Sequence, residues 1–380
     1  MIIKGSFVLK PKIYFSENAL SLLKDLSGHK AFIVADAIMQ DLGYLQKTID
    51  YLDEAGIKSE VFSDIYPDPD IALVANGIKK YSESEADVLI ALGGGSAIDT
   101  AKAILYFESG FRNKNKVYKK PTFVAIPSTS GTGSEVTDFS VITSNDEKVC
   151  IVDNDISPDI AILDPTCIQH VPSRVVADTG IDVLVHSLEA YVSKDATDFT
   201  DALAEKAIQL IFENLEIIYK DINNIKARSH VHNASCMAGI AFTNTGLGIN
   251  HSLAHAFGGK FHISHGRSNA LMLKSVIEFN SGLKSTLDEY SSKKYSNIAK
   301  ILNLPARTSR EGVVSLISEI ERLKKNIGIE NSIRDIGIKE EDFSKEIEVM
   351  AETALKDRCT ASNPKLPTKE DLIEIYNNCC

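Results

Sequence analysis

Up to about residue 170, short apolar runs alternate with amphipathic stretches. Lys30 to Asp36 (KAFIVAD), Ser59 to Phe62, Ala86 to Leu92 (ADVLIAL) and Thr122 to Ile126 (TFVAI) predict strands. Gln46 to Ala55, Asp70 to Glu83 and Ser96 to Leu105 predict helices between them. The strands are near-continuous apolar runs rather than alternating ones, as expected when both faces of a parallel sheet are covered. The pattern then changes. Pro172-Ser173 reads as a helix start, and helical periodicity follows over Arg174 to Val192, Phe199 to Tyr219, Ala227 to Phe242, Asn250 to Phe257, Leu271 to Asn280, Tyr290 to Leu302, Gly312 to Ile327, Asp342 to Leu355 and Thr368 to Asn377. The expectation is therefore two domains: an α/β domain with a mostly parallel sheet at 1–171, and an all-helical domain at 172–380.

A chain of 380 residues is long enough for two domains with sizeable cores. The 44% hydrophobic and 24% charged content is that of a soluble globular protein. A net charge of −11 argues against nucleic acid as a partner, because phosphate backbones need basic patches. Cys150, Cys167, Cys236, Cys359, Cys379 and Cys380 include no C-x-x-C pair, so free thiols in a reducing compartment are expected. No apolar run has the length of a membrane span, and the N-terminus lacks a signal-peptide pattern. A cytoplasmic protein is the expectation.

Gly93-Gly94-Gly95-Ser96 follows a strand and opens a helix. Glycines let backbone approach a pyrophosphate, and a helix N-terminus offers N–H groups and positive dipole. Pro127 to Ser134 (PSTSGTGS) is a second small-residue loop after a strand. Asp36 ends the first long strand, where a carboxylate can accept from ribose hydroxyls and repel a 2′-phosphate, favouring NAD over NADP. The order departs from the usual dinucleotide fingerprint, in which glycines precede the acidic residue.

The second half carries Asp182 and His186, four apart in a helical stretch and so on one face. His251 and His255 are likewise four apart, and His265 is expected in a glycine-rich turn. Three histidines and a carboxylate suit a divalent first-row metal, with one histidine to spare for acid–base work. Spacing leaves open which of His251, His255 and His265 stands outside the metal shell, and His262 is a further candidate. His230 and His232 read as structural, and His29 and His170 as loop residues.

Together these motifs resemble the iron-dependent (group III) alcohol dehydrogenases. The matches run nearly the whole length: IVAD at 33–36, GGGS with Asp99 and Lys102, IPSTSGTGSEVT at 126–137, the DTGIDVLVHSLEAYVS block, the two-histidine block, and Cys359-Thr360 with Asn363-Pro364. SKDATDFTDALAEKA and HNASCMAGIAF look most like propanol dehydrogenases of propanediol-utilisation microcompartments. The resemblance implies the two-domain architecture of dehydroquinate synthase, and the metal ligands Asp182, His186, His251 and His265 for Fe²⁺, with Zn²⁺ as an alternative. His255 becomes the non-ligand histidine near the nicotinamide. NAD(H) is expected at Asp36, Asp68, Gly94, Gly95, Ser96, Asp99, Ser128, Thr129, Thr137 and Lys148. Phe139, Phe242 and Cys359 correspond to substrate-pocket positions.

The expected activity is interconversion of short-chain primary alcohols and aldehydes, with propionaldehyde reduction to 1-propanol foremost and 1,3-propanediol, butanol or ethanol as alternatives. The expected state is a homodimer or larger, with microcompartment association as a further implication. A metal-dependent synthase on the same fold would need a basic pocket, yet only Lys260 and Arg267 are basic near the metal blocks. A shell-associated scaffold is disfavoured as a sole role by the intact ligand set.

Overall fold

The computed structural model describes residues 5–113, 119–144 and 147–379. Met1 to Lys4 and Cys380 lie outside the described residues. The chain divides into two compact units, Val8–His170 and Val171–Cys380, the latter together with Met1–Phe7. Phe7 stacks on Phe199 with ring centroids 5.5 Å apart, which draws the start of the chain into the second unit.

In the first unit the order is β1 (Lys12–Phe15), β2 (Lys30–Asp36), α1 (Ala37–Asp41), α2 (Tyr44–Glu54), β3 (Lys58–Ile65), α3 (Ile71–Ser84), β4 (Val88–Gly93), α4 (Gly95–Asn113), β5 (Thr122–Pro127), β6 (Phe139–Ser144), β7 (Glu147–Val152) and β8 (Ile160–Leu163). Six strands form one sheet in the order β1-β8-β5-β4-β2-β3, and every pairing in it is parallel. Alternate residues of β2, β4 and β5 bury on opposite faces. Phe32, Val34, Leu89, Ala91, Phe123 and Ala125 pack with Val74, Ile98 and Ile104 of α3 and α4. Ala31, Ile33, Ala35, Ile90, Leu92 and Val124 pack with Met39, Leu45 and Leu52 of α1 and α2. Covering both faces is why these strands read as unbroken apolar runs.

The chain leaves β2 for β3 on one side and returns to β4 on the other. The strand order therefore reverses between β2 and β4, and their carboxyl ends frame the crevice where open α/β sheets hold ligands. Asp36 and Gly93 end those two strands.

Strands β1 and β8 have four residues each, too short for periodicity to register, and β6–β7 is an antiparallel hairpin. The hairpin is tied to the main body by Thr143 N–H donating to Pro69 O at 2.8 Å. Helix α4 runs to Asn113, beyond the Leu105 limit the sequence suggests.

The second unit is helical throughout its described residues: α5 (Ser173–Val192), α6 (Asp198–Lys220), α7 (Ile225–Thr245), α8 (Ile249–Phe261), α9 (His265–Ser281), α10 (Glu289–Ile301), α11 (Ser309–Asn326), α12 (Glu340–Lys356) and α13 (Lys369–Asn377). The long helix α5 is buried continuously from Gly180 to Val192, so even its polar residues are interior. A buried polar group persists only with a partner or a ligand. No described helix is long and apolar enough to cross a membrane. Among the described residues, Cys150, Cys167, Cys236, Cys359 and Cys379 form no disulfide.

Candidate metal centre and dinucleotide turn

Asp182, His186 and Glu189 fall at i, i+4 and i+7 on α5, one face of one helix. His251 is in the first turn of α8, and His265 is the first residue of α9. The expectation that His265 sits in a turn is corrected here: Ser264 is extended and the helix opens at His265, six residues ahead of the predicted start. Gly266 makes this possible. A Cβ there would stand 1.9 Å from Asp178 O, so only glycine lets α9 begin directly against α5.

One donor atom from each of Asp182, His186, His251 and His265 lies within 4.8 Å of all the others. Asp182 Oδ1 is 3.8 Å from His251 Nε2 and 3.6 Å from His265 Nε2. The first three residues are buried, while the His265 side chain is 41% exposed. His255 and His262 fall outside the set; His262 ends α8 in a left-handed conformation.

The donor chemistry fits a divalent cation. Burial holds His186 at about 3 and His251 well below its ordinary value, so both imidazoles are neutral and keep a lone pair. His186 Nδ1 and His251 Nε2 are buried with no hydrogen-bond partner. Buried polar atoms are rarely left so unless something else binds them. Burial likewise raises Asp182 above the usual carboxylate range, a cost that a cation would offset.

Two residues that sequence reasoning missed orient these groups. Glu189 Oε2 lies 2.5 Å from His251 Nδ1, and Glu189 Oε1 accepts from Asn250 N–H at 2.6 Å. With Nδ1 engaged, Nε2 is the nitrogen left to coordinate. Asn269 Nδ2 donates to Asp182 Oδ1 at 2.7 Å and lies 3.2 Å from His265 Nε2. The signal was available in both cases: Glu189 is seven from Asp182, and Asn269 is four from His265.

His255 is on the exposed side of α8, and its Nδ1 lies 2.9 Å from Asp357 Oδ2. Burial raises the Asp357 carboxyl, but the His255 bond and charge outweigh it and hold the group well below the usual range. Cys359 N–H and Ser252 Oγ both donate to Asp357 Oδ1, at 2.8 and 3.3 Å. No sequence signal marks Asp357, which is 102 residues from His255. Of the expected substrate-pocket residues, Phe242 is buried with its ring centroid 4.7 Å from that of His186. Cys359 lies beside Asp357, and burial pushes its thiol well above its ordinary value. Phe139 belongs to the first unit, as the opening residue of β6, with Lys102 Nζ 5.8 Å from its ring centroid.

In the first unit, Asp36 and the glycines meet at the reversal of strand order. Asp36 Oδ1 caps α1 by accepting from Met39 N–H at 3.0 Å, and Oδ2 accepts from Gly94 N–H at 3.1 Å. A Cβ on Gly93 would stand 2.6 Å from Asp36 Oδ2 and 2.7 Å from Ala97 Cβ. Gly94 bends into α4, which opens at Gly95-Ser96. Ser128 is buried, its N–H donating to Gly93 O at 3.0 Å; Thr129 packs by Gly94.

The remaining expected contacts have partners within the protein. Asp99 accepts from Ser134 Oγ at 2.6 Å and Val141 N–H at 3.1 Å. Thr137 is fully buried, its hydroxyl accepting from Lys102 Nζ at 2.7 Å. Lys102 is itself buried and held near 8 by desolvation; it also donates to Ser134 Oγ and Phe139 O, so it staples the PSTSGTGS loop from behind. Asp68 takes a left-handed φ of 54°, which Asp and Asn tolerate, and pairs with Lys148 at 2.9 Å.

Residues 10–165 match the model of the iron-containing alcohol dehydrogenases, and 176–380 match the C-terminal model of the Fe-containing alcohol dehydrogenase family. The chain belongs to this family. It is 40% identical to the 1-propanol dehydrogenase of Citrobacter freundii, over 97% of this chain and 98% of that one. It is 39% identical to the NADPH-dependent butanol dehydrogenase of Clostridium saccharobutylicum, over 97% and 96%. It is also 40% identical to the aldehyde-alcohol dehydrogenase of Streptococcus pneumoniae over 97% of this chain, which spans 45% of that longer protein. Among solved structures, an iron-containing alcohol dehydrogenase from Thermococcus thioreducens aligns with a TM-score of 0.90 at 34% identity, over 98% and 99% of the chains. The sulfoacetaldehyde reductase of Bifidobacterium kashiwanohense, solved with NAD⁺, aligns at 0.87 and 26%, over 99% of each.

Proposed function

We propose that this alcohol dehydrogenase holds Fe²⁺ on Asp182, His186, His251 and His265, uses NAD(H), and interconverts short-chain primary alcohols and aldehydes, with propionaldehyde reduction to 1-propanol its principal reaction. The observation that carries this reading is the pair of buried, unpartnered nitrogens on His186 and His251, facing a carboxylate in a three-nitrogen, one-oxygen set. That set suits Zn²⁺ equally by ligand type, and the family's description favours iron. When bound, the metal supplies Lewis acidity toward the substrate oxygen and the nicotinamide supplies the hydride acceptor or donor.

The protein's own residues do the rest. Glu189 and Asn269 fix the orientation of His251 and Asp182. His255 gives a proton to the nascent alcohol, or takes one from it in the reverse direction. Asp357 holds the His255 ring by Nδ1. Phe242 presents an apolar wall beside His186 that excludes water and suits a short aliphatic chain. The two basic residues flanking the metal blocks are both paired, Lys260 with Glu346 at 2.9 Å and Arg267 with Asp178 at 2.8 Å. This supports a neutral substrate over the anionic one a synthase would take. Asp36 at the strand reversal supports NAD, although the Clostridium saccharobutylicum relative is named for NADPH. A homodimer, and residence in a microcompartment, are proposals carried by the family and subfamily resemblance. Light scattering that returns a monomer, or a pull-down that recovers no shell protein, would remove them.

The test is anaerobic NADH oxidation with propionaldehyde, on metal-free protein reconstituted with Fe²⁺ or Zn²⁺ in parallel. Turnover that requires Fe²⁺ and fades in air is expected. Metal-loaded protein inert toward propionaldehyde, butyraldehyde and acetaldehyde would overturn the proposal.

A further inference from the structure

A second group of donors lies beside the first without sharing a residue with it. One ligand atom from each of His255, Asp357 and Cys359 comes within 4.8 Å of the other two. Asp357 and Cys359 enter from one tight turn, the 3₁₀ segment Arg358–Ser362 that Asp357 caps, and His255 enters from α8. The Asp357 carboxylate is fixed in direction. Its Oδ1 accepts from Cys359 N–H and Ser252 Oγ, which turns Oδ2 to His255 Nδ1. The His255 side chain is 37% exposed, so the cluster is open to solvent on that side.

We propose that His255, Asp357 and Cys359 form a second metal site, separate from the four-residue centre, that takes a thiophilic divalent cation such as Zn²⁺. Imidazole, carboxylate and thiolate together are a zinc donor set, and three protein ligands leave a fourth position for water. The four-residue centre has no sulfur, so the two sites differ in softness: nitrogen and oxygen at the first, thiolate at the second. The buried thiol is protonated in the metal-free protein. Coordination deprotonates a thiol outright: the S–H bond breaks, an S–Zn bond forms, and the proton leaves to solvent. On the neutral imidazole the Nδ1 proton shifts to Nε2, freeing the Nδ1 lone pair for the cation. Asp357 and the thiolate bring two negative charges, which offset a second dication close to the first; the His255 and His265 ring centroids are 5.3 Å apart. Occupancy takes the ring and carboxylate assigned to proton transfer, a consequence that rests on the proposed function. Zn²⁺ beyond the first equivalent then inhibits while the first site stays filled.

Anaerobic titration of metal-free protein with Co²⁺ tests the site directly. Two equivalents bind, and the second brings a thiolate-to-cobalt charge-transfer band that the sulfur-free first site does not produce. Cys359→Ser binds one equivalent and loses the band, with an unchanged far-ultraviolet circular dichroism spectrum. His255→Ala, at a partly exposed position, weakens the second equivalent by more than the roughly 10- to 100-fold that loss of an outer-shell partner costs. Saturation at one equivalent without the band overturns the site, as does a band that survives in Cys359→Ser. The readout needs no substrate. A protein that shows the band yet reduces no aldehyde supports the second site and overturns only the proposed activity.

Discussion

Glu189 and His251 meet at 2.5 Å in the interior of the helical unit, carboxylate to Nδ1, and the same carboxylate takes the backbone N–H of Asn250. The contact fixes which ring nitrogen is left to coordinate and ties the start of α8 to α5. Burial pushes the Glu189 carboxyl up to about 8, and Glu189→Gln preserves the shape while removing the group that can become anionic beside a bound cation. Its expected effect is a metal affinity lower by about 10- to 100-fold, as for other outer-shell partners. Competition with a chromophoric chelator measures it, and an unchanged affinity would show that Glu189 serves packing alone.

Asp357 is expected to act through His255. With Asp357→Asn the imidazole loses the carboxylate that holds its Nδ1, so the ring is less firmly oriented. Aldehyde reduction should fall about 10- to 100-fold in kcat, below the full 10²–10⁴ of a lost acid–base group because His255 remains. A loss confined to KM would assign Asp357 to substrate binding instead.

Gly93 separates cofactor binding from metal binding. Its Cβ would crowd Asp36 Oδ2 and Ala97, and overpacking of this kind costs about 1–3 kcal/mol. Gly93→Ala should therefore weaken NADH binding, read by fluorescence titration, by about tenfold or more. Metal stoichiometry in the helical unit should be unchanged. Equal affinity for NADH in the variant would place the dinucleotide elsewhere.

Glu135 supplies a pH prediction free of the metal. Burial raises it from 4.5 to about 7. Between those values the unfolded chain has released the proton and the folded chain retains it. The contribution to stability is full below 4.5 and is lost as pH rises through 7. Glu135→Gln does not titrate, so urea midpoints should shift in favour of the variant between pH 4.5 and pH 8. A difference between the two proteins that does not vary with pH would show Glu135 already ionised in the fold.

Periodicity alone made the two-part organisation legible. Strands covered on both faces, such as KAFIVAD, are unbroken apolar runs, and the long helices of the second half keep their 3.6-residue pattern. What escaped were β1 and β8, with four residues each, and the β6–β7 hairpin, whose place depends on a backbone bond to Pro69. The start of α9 was placed late because Ser264-His265-Gly266 reads locally as a turn, while the close approach to Asp178 that demands Gly266 is invisible along the chain.

The sequence by itself determined the donor types: a carboxylate and histidines at helical spacings, and glycines after a buried strand. It also contained Glu189 and Asn269, at i+7 and i+4 from expected ligands. Only the tertiary structure decided which histidine stands outside the four-residue set, because α5, α8 and α9 must pack before His265 can reach Asp182. Only the fold brings Asp357 to His255, since 102 residues of chain separate them and no local rule governs contacts at that distance. Asp36 and Gly93 likewise become neighbours only through the parallel pairing of β2 with β4, which seats two distant strand ends side by side.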